Sequence, residues 1–379
     1  MPVSCPDILV VGGGVIGLST ALRLADDGVS VTVVDRQQVG REASWAGAGI
    51  LPPGLNQVLP EGETGESRER FLRCLSNSIW PDMSARLLEQ TGIDNGYRQC
   101  GAIEVIDSEH AWVAQLPSWE SEGITAELLK DRPAIRHHVP GLDETFANAV
   151  WLPEYCQVRN PRHLKALRTA CQLSGVEILE NVPDLLLRAG GSVVTAVTGS
   201  RTFSSERLCI SAGAWTGQLL RQLNVDLPVQ PVRGQMIQLK PARLSFRCVI
   251  QQSRRYLVPR PDGLILVGST EEQVGFEKQT TNGGIRGLLD FAESLVPELA
   301  TAELVRQWAG LRPGSPDGLP FLGRVDCFEN LYVGAGHFRS GLQMSPGTAQ
   351  LLAHALITPD NNAVPVIRSS REPSPPESL

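Results

Sequence analysis

The stretch Ile8-Leu-Val-Val-Gly-Gly-Gly-Val-Ile-Gly17 decides the fold. Ile8 to Val11 is a short run rich in β-branched residues, the composition of a parallel strand buried on both faces. Gly12, Gly14 and Gly17 then satisfy G-x-G-x-x-G, while Val15, Leu18, Leu22 and Ala25 recur at three and four and give one apolar helix face. Strand, tight turn and helix follow in the order of a dinucleotide-binding unit. The first glycine makes the turn, the second lets backbone reach a pyrophosphate, and the third lets helix and strand pack closely. The phosphate charge then meets the positive end of the helix.

A second strand, read over Val29 to Val34, ends in Asp35. Its carboxylate falls where such a residue accepts hydrogen bonds from an adenosine ribose, and it would repel a 2′-phosphate, which disfavours NADP. This unit leaves NAD and FAD both open, because both lie on the same loop.

Working outward, 379 residues exceed the size at which a single core keeps growing, so two domains or two lobes are expected. With 42% hydrophobic and 20% charged residues, the composition is that of a globular chain with a real core. A net charge of -7 without a compensating basic block argues against nucleic acid and anionic lipid, leaving small molecules as partners. No apolar run is long enough to span a bilayer, and Met1 to Asp7 lacks the pattern of a signal peptide, so a cytoplasmic location is expected. The eight cysteines include no Cys-x-x-Cys pair; they read as reduced packing residues, with no metal site.

Phe71, Leu75, Ile79, Met83 and Leu87 mark an amphipathic helix that Pro81 should kink or divide. Residues 162–173 read as a helix and 175–182 as a strand returning to the nucleotide-binding sheet. From 225 to 275 strand-like runs alternate with Pro and Gly, followed by a helix with Ile285, Leu288, Leu289, Ala292 and Leu295 on one face. The Pro/Ser-rich residues 361–379 read as a flexible tail.

Further segments decide the nucleotide. They are Gly40-Arg-Glu-Ala-Ser-Trp-Ala-Gly-Ala-Gly-Ile50, Arg207 to Trp215, Val229 to Gln235, Tyr256 to Arg260, Leu266 to Thr270, Trp308 to Gly314 and Gly334 to Arg339. In that order, over most of the chain, they resemble flavin-dependent oxidases of small amino acids, most closely the glycine oxidases of the D-amino acid oxidase family. The resemblance implies an α/β fold with a discontinuous Rossmann-like FAD-binding domain (1–50, 151–220 and 310–360) and a β-rich α+β substrate-binding domain (51–150 and 221–309). It implies contacts to FAD from Gly12, Gly14, Val15, Ile16, Gly17, Asp35, Arg36, Ala43, Ser44, Ala48, Gly49 and Ile50. The backbone of Val182 would hold adenine, and His337, Phe338, Arg339, Ser340, Gly341, Leu342 and Gln343 would close over the flavin. Relatives with covalent flavin use a cysteine near the later regions; 309–323 has none, so non-covalent FAD is implied. Two positions depart from the pattern: Asp35 stands where Glu is commoner, and Gln343 where an aliphatic residue is usual.

The resemblance also implies the chemistry. Arg312 would grip the substrate carboxylate through two parallel hydrogen bonds. Tyr256 would donate to the same carboxylate, while the Arg339 backbone would accept from the amine and its side chain add positive charge. Hydride leaving from the neutral amine needs no general base, so His337 is read as packing. Glycine would give glyoxylate, ammonia and hydrogen peroxide, with dioxygen as oxidant. Close analogues such as sarcosine and other N-substituted glycines belong to the same expectation, a link to thiamine thiazole synthesis and a homotetramer are implied, and two alternatives stand. One is a D-amino acid or D-proline oxidase or a quinone-linked dehydrogenase; the other is a non-catalytic flavin-binding subunit.

Overall fold

A computed structural model describes residues 6–54, 65–106, 117, 119–120, 123–199 and 201–358. The tail at 361–379 lies outside them.

Ile8–Val11 is a strand buried along its whole length, paired in parallel with Val31–Val34 on one side and Arg207–Ile210 on the other. The six-stranded sheet runs Phe321–Arg324, Leu331–Ala335, Arg207–Ile210, Ile8–Val11, Val31–Val34, Glu177–Leu179. Only the first of these is antiparallel to its neighbour. Successive side chains of a strand point to opposite faces, and the sequence uses both. Ile8 and Val10 join Leu18, Leu22, Leu167 and Leu352 under the helices Val15–Asp26, Asn160–Leu173 and Gly341–Ile357. Leu9 and Val11 join Leu187, Val194 and Phe203 of a small antiparallel sheet on the other side. That double burial is why the run carries no polar residue.

The second sheet has eight strands, in the order Glu303–Gly314, Gln230–Lys240, Ile265–Gly268, Arg255–Pro259, Val249–Gln252, Ala102–Val105, Ala149–Leu152, Glu127–Leu129. Helix Asn282–Leu295 covers it, capped by Thr281, whose hydroxyl accepts from the Gly284 amide. Its buried face is Ile285, Leu288, Phe291, Ala292 and Leu295; Leu289, expected there, is only half-buried.

The helix at Gly65–Thr91 corrects the sequence reading twice. It runs continuously with Pro81 inside, so of the kink or division expected there the division does not occur. Its buried seam is Leu72, Ser76, Trp80, Ser84 and Leu87, whereas Phe71, Leu75 and Ile79 are half-buried. The reason is a close crossing with helix Gly341–Ile357: Ser76 donates to Leu72 O and accepts from the Gly347 amide, where a Cβ would stand 2.6 Å from the Ser76 hydroxyl. A seam of serine and glycine is invisible to apolar periodicity. Leu72 and Leu87 also belong to the core under the six-stranded sheet, although residues 51–150 were expected in the substrate-binding part. Likewise, the expected boundary at 309/310 falls inside strand Glu303–Gly314, which stays in register with Gln230–Lys240 to its last residue.

Two shorter differences have local causes. The strand expected over 175–182 is confined to Glu177–Leu179, and Asn181 and Asp184 beyond it turn the chain at φ 57° and 50°. Among the described residues seven cysteines form no disulfide, and Cys74, Cys171, Cys209 and Cys248 are buried.

Candidate active site

A cavity of about 520 Å³ opens beyond the carboxyl ends of the parallel strands, where such sheets hold their ligands. Four strands end on it, through Val11–Gly12, Val34–Asp35, Ser211–Ala212 and Gly334–Ala335. Gly12 turns the chain at φ 106°, and a Cβ there would stand 2.5 Å from Ser211 O. Gly14, Val15 and Ile16 line the cavity; Gly17 stands behind them, where a side chain would strike Gly12 O. The Val15 amide donates to Ser44 Oγ at 3.0 Å, tying the helix start to the segment Ala43–Ile50.

Asp35 accepts from the Gly13 amide at 2.8 Å and the Gln37 amide at 2.9 Å. Burial raises its pKa, opposed by those two bonds and by Arg36. Each carboxylate oxygen keeps capacity for another donor. Arg36 lies 3.7 Å from the centroid of the Trp215 ring, and both residues line the cavity. Val182 also lines it, but its amide donates to Asp35 O at 2.9 Å, so only its carbonyl is free of that contact.

Ala43, Ser44, Ala48, Gly49 and Ile50 all face the cavity. Gly49 takes φ 70°, with Val158 O against the place a Cβ would occupy. Buried Arg260 pegs this segment, donating to Ala48 O at 2.6 Å, Val158 O at 3.1 Å and Gln157 Oε1 at 2.7 Å. Desolvation lowers its pKa to about 10, so it stays charged at neutral pH.

At the other end, Arg312 donates to Ser269 Oγ at 2.6 Å and Thr270 O at 3.1 Å. Its guanidinium rests over Gly234, where a Cβ would stand 2.5 Å from Cζ. Tyr256 stands beside it, its hydroxyl 3.5 Å from Met236 Sδ, a weak acceptor that a better one can displace. Gly268 leaves the room for this pair, since a Cβ there would meet Tyr256 Cε2 at 2.8 Å. Desolvation lowers the Arg312 pKa, yet a guanidinium remains protonated.

His337, Phe338, Arg339, Gly341, Leu342 and Gln343 line the same cavity, and Ser340 does not: it caps helix Gly341–Ile357 from outside, its amide bonded to His337 O. His337 is buried and shares a hydrogen bond of 3.0 Å with Thr348; desolvation lowers its pKa to about 3, which keeps it neutral. Phe338 adopts φ 47° and its amide donates to Pro313 O, a left-handed conformation that a non-glycine residue holds only under constraint. The Gln343 amide donates to Pro52 O at 2.7 Å and Asn77 Oδ1 at 3.2 Å, so this departure from the aliphatic pattern stitches the wall to its surroundings. The Arg339 side chain is ion-paired with Glu271, so the charge it brings to the cavity is shared with that carboxylate.

The family model described as DAO, FAD dependent oxidoreductase, matches residues 7–355. The chain belongs to this family. Among its relatives, the glycine oxidase of Pseudomonas aeruginosa is 38% identical, covering 91% of this chain and 93% of that protein. A glycine oxidase of Pseudomonas putida is 37% identical, with coverage of 92% and 94%. The crystal structure of glycine oxidase from Geobacillus kaustophilus superposes with a TM-score of 0.85 at 30% identity, covering 93% of this chain and 94% of that one. The chain is thus an FAD-dependent oxidoreductase of the α/β architecture read from its first strand.

In this DAO-family chain, the residues given no role at first are chiefly those that hold others. Gly234, Gly268, Ser269 and Thr270 support Arg312 and Tyr256, while Arg260 and Asn160, which donates to Ser44 O at 2.7 Å, hold the Ala43–Ile50 wall. A glycine inside a strand is the one signal that was available, since it marks a close approach.

Proposed function

We propose that the chain is an FAD-dependent oxidase of glycine or a close analogue such as N-methylglycine or another N-substituted glycine. The observation that carries this is Arg312: a guanidinium braced on one side by Ser269 and Thr270, bedded on Gly234, and facing the cavity that the Gly12–Gly17 turn opens into. The relatives named glycine oxidase supply the substrate class.

The residues fit FAD. The helix start at Gly14–Ile16 offers a positive end to a pyrophosphate, Asp35 an acceptor to ribose hydroxyls, the Val182 carbonyl an acceptor to adenine. The thin Ala43–Ile50 wall and the start of helix Gly341–Ile357 would take the flavin ring, without a covalent link. Bound FAD would supply the electron sink for oxidation at Cα, with dioxygen as the final acceptor.

Arg312 fixes the substrate carboxylate, with the Tyr256 hydroxyl turning from Met236 to donate to it. The Arg339 backbone orients the amine. Neutral, buried His337, already bonded to Thr348, leaves the amine to lose its proton to solvent before hydride transfer. Glycine, dioxygen and water then give glyoxylate, ammonia and hydrogen peroxide. The homotetramer rests on family resemblance alone, and light scattering checks it; fractionation checks the cytoplasmic location.

The test is the purified holoprotein under air with glycine, N-methylglycine, D-alanine and D-proline. Oxygen uptake with stoichiometric peroxide on the first two is expected. Flavin reduced by D-proline alone, or reoxidised only by a quinone, would overturn the reading.

A further inference from the structure

Arg339 is held from the loop that follows strand Ile265–Gly268. Its Nε donates to Glu271 Oε2 at 2.9 Å, Nη2 reaches the same oxygen, and Arg254 Nη1 donates to Oε1 at 2.9 Å. Burial raises the Glu271 pKa, but the hydrogen bond and charge of Arg339, with Arg254 and Arg312, outweigh it and keep the carboxylate ionised. The cluster thus sets one carboxylate against three guanidinium groups. One of them, Arg312, is the proposed substrate anchor, and Arg339 lines the cavity while its side chain remains 30% exposed, so the pair stands between the cavity and solvent.

The consequence concerns what hangs on the substrate nitrogen. Arg312 and Arg339 line one cavity, so a substrate held as proposed above, its carboxylate on Arg312 and its amine at the Arg339 backbone, would bring an N-substituent into the neighbourhood of the Arg339 side chain. A neutral substituent asks nothing of that cation. A second carboxylate would seek it, and would find it bonded to a protein carboxylate that also repels the newcomer.

We propose that Glu271 is a specificity-determining residue: by occupying the Arg339 guanidinium it denies a second carboxylate its partner and tunes the site to glycines with neutral N-substituents over N-carboxymethyl amines. This rests on the glycine-oxidase reading above.

The experiment compares parent and Glu271→Gln holoenzymes on N-carboxymethylglycine and N-methylglycine. The ratio of kcat/KM for the dicarboxylate to that for the monocarboxylate should rise about tenfold or more, the scale of one charge-assisted hydrogen bond gained. It should fall back in Glu271→Gln/Arg339→Met. A ratio that stays at the parent value, or a gain that persists without Arg339, overturns the proposal. Glu271→Met, of similar volume, serves where the glutamine variant fails to hold FAD. Binding of diglycolate against methoxyacetate, inert analogues of the two substrates read by perturbation of flavin absorbance, tests the same discrimination without turnover. A parent that oxidises neither amine therefore sinks the functional reading alone, while equal gains in binding for both inert ligands sink the role of Glu271.

Discussion

The Arg312 guanidinium lies against the Cα of Gly234, on the neighbouring strand of the eight-stranded sheet, leaving no room for a Cβ between them. Two antiparallel strands thereby carry a charged group across the sheet face in a fixed orientation. Ser269 and Thr270 lock it from the side. A carboxylate bound there as proposed would meet a donor pair whose entropy is already spent.

Gly234→Ala should therefore act on binding rather than on the cofactor. The added methyl pushes the guanidinium off its bed, and a displacement near 1 Å at a binding group costs about 10²-fold. We expect the KM for glycine to rise at least about tenfold while flavin absorbance stays that of the parent; steady-state kinetics with a flavin spectrum checks both.

Arg312→Ala removes the proposed anchor itself. Hydrogen bonds to charged groups contribute about 1.5–3 kcal/mol each, so losing two should weaken carboxylate binding about 10²-fold or more. Arg312→Lys keeps the charge and loses the planar fork, and should fall between. Titration of the holoenzyme with acetate, followed in the flavin spectrum, reads both; near-parent affinity in the alanine variant would remove Arg312 from this role.

The glycine turn, the strand before it and the acid at 35 were legible because each obeys a local rule: burial on both faces, positive φ, an acceptor at a strand end. The anchor and the aromatic beside it came through resemblance, since an arginine in a strand has no local signature of what it faces. What stayed hidden is support at long range. Arg260 lies 212 positions from Ala48, whose carbonyl it holds, and the Ser76–Gly347 helix crossing is built of residues that carry no hydropathy signal. At Arg339 the place beside the cavity was readable, but the ion pair with Glu271, 68 positions away, was not.

Arg260 gives a third expectation. Its three acceptors are the carbonyls of Ala48 and Val158 and the amide oxygen of Gln157, and Arg260→Met would leave them buried without that donor. An orphaned buried acceptor costs about 1–3 kcal/mol. Part of this should fall on the folded state and part on the Ala43–Ile50 wall. The variant should melt lower and release FAD more readily, by about tenfold in Kd, with the KM for glycine little changed once FAD is saturating. Fluorescence of released flavin, read against thermal unfolding, separates the two effects.

The pH dependence of stability follows from two buried imidazoles. His163 and His337 are both held neutral by desolvation, with pKa values lowered to about 3, against about 6.5 in an unfolded chain. A depressed native pKa means that the unfolded chain binds protons that the native one refuses, so stability is full above about pH 6.5 and is lost progressively as pH falls towards 3. Each imidazole contributes a slope of at most about 1.4 kcal/mol per pH unit across that window. The Tm of the holoenzyme should therefore drop steadily between pH 6.5 and 4, and His337→Asn should make that slope shallower while lowering Tm at pH 8 through the lost Thr348 contact. Calorimetry across the range decides it: an equally steep slope in the variant would mean that His337 takes up its proton in the folded state, and that the histidine beside the cavity is available to the chemistry after all.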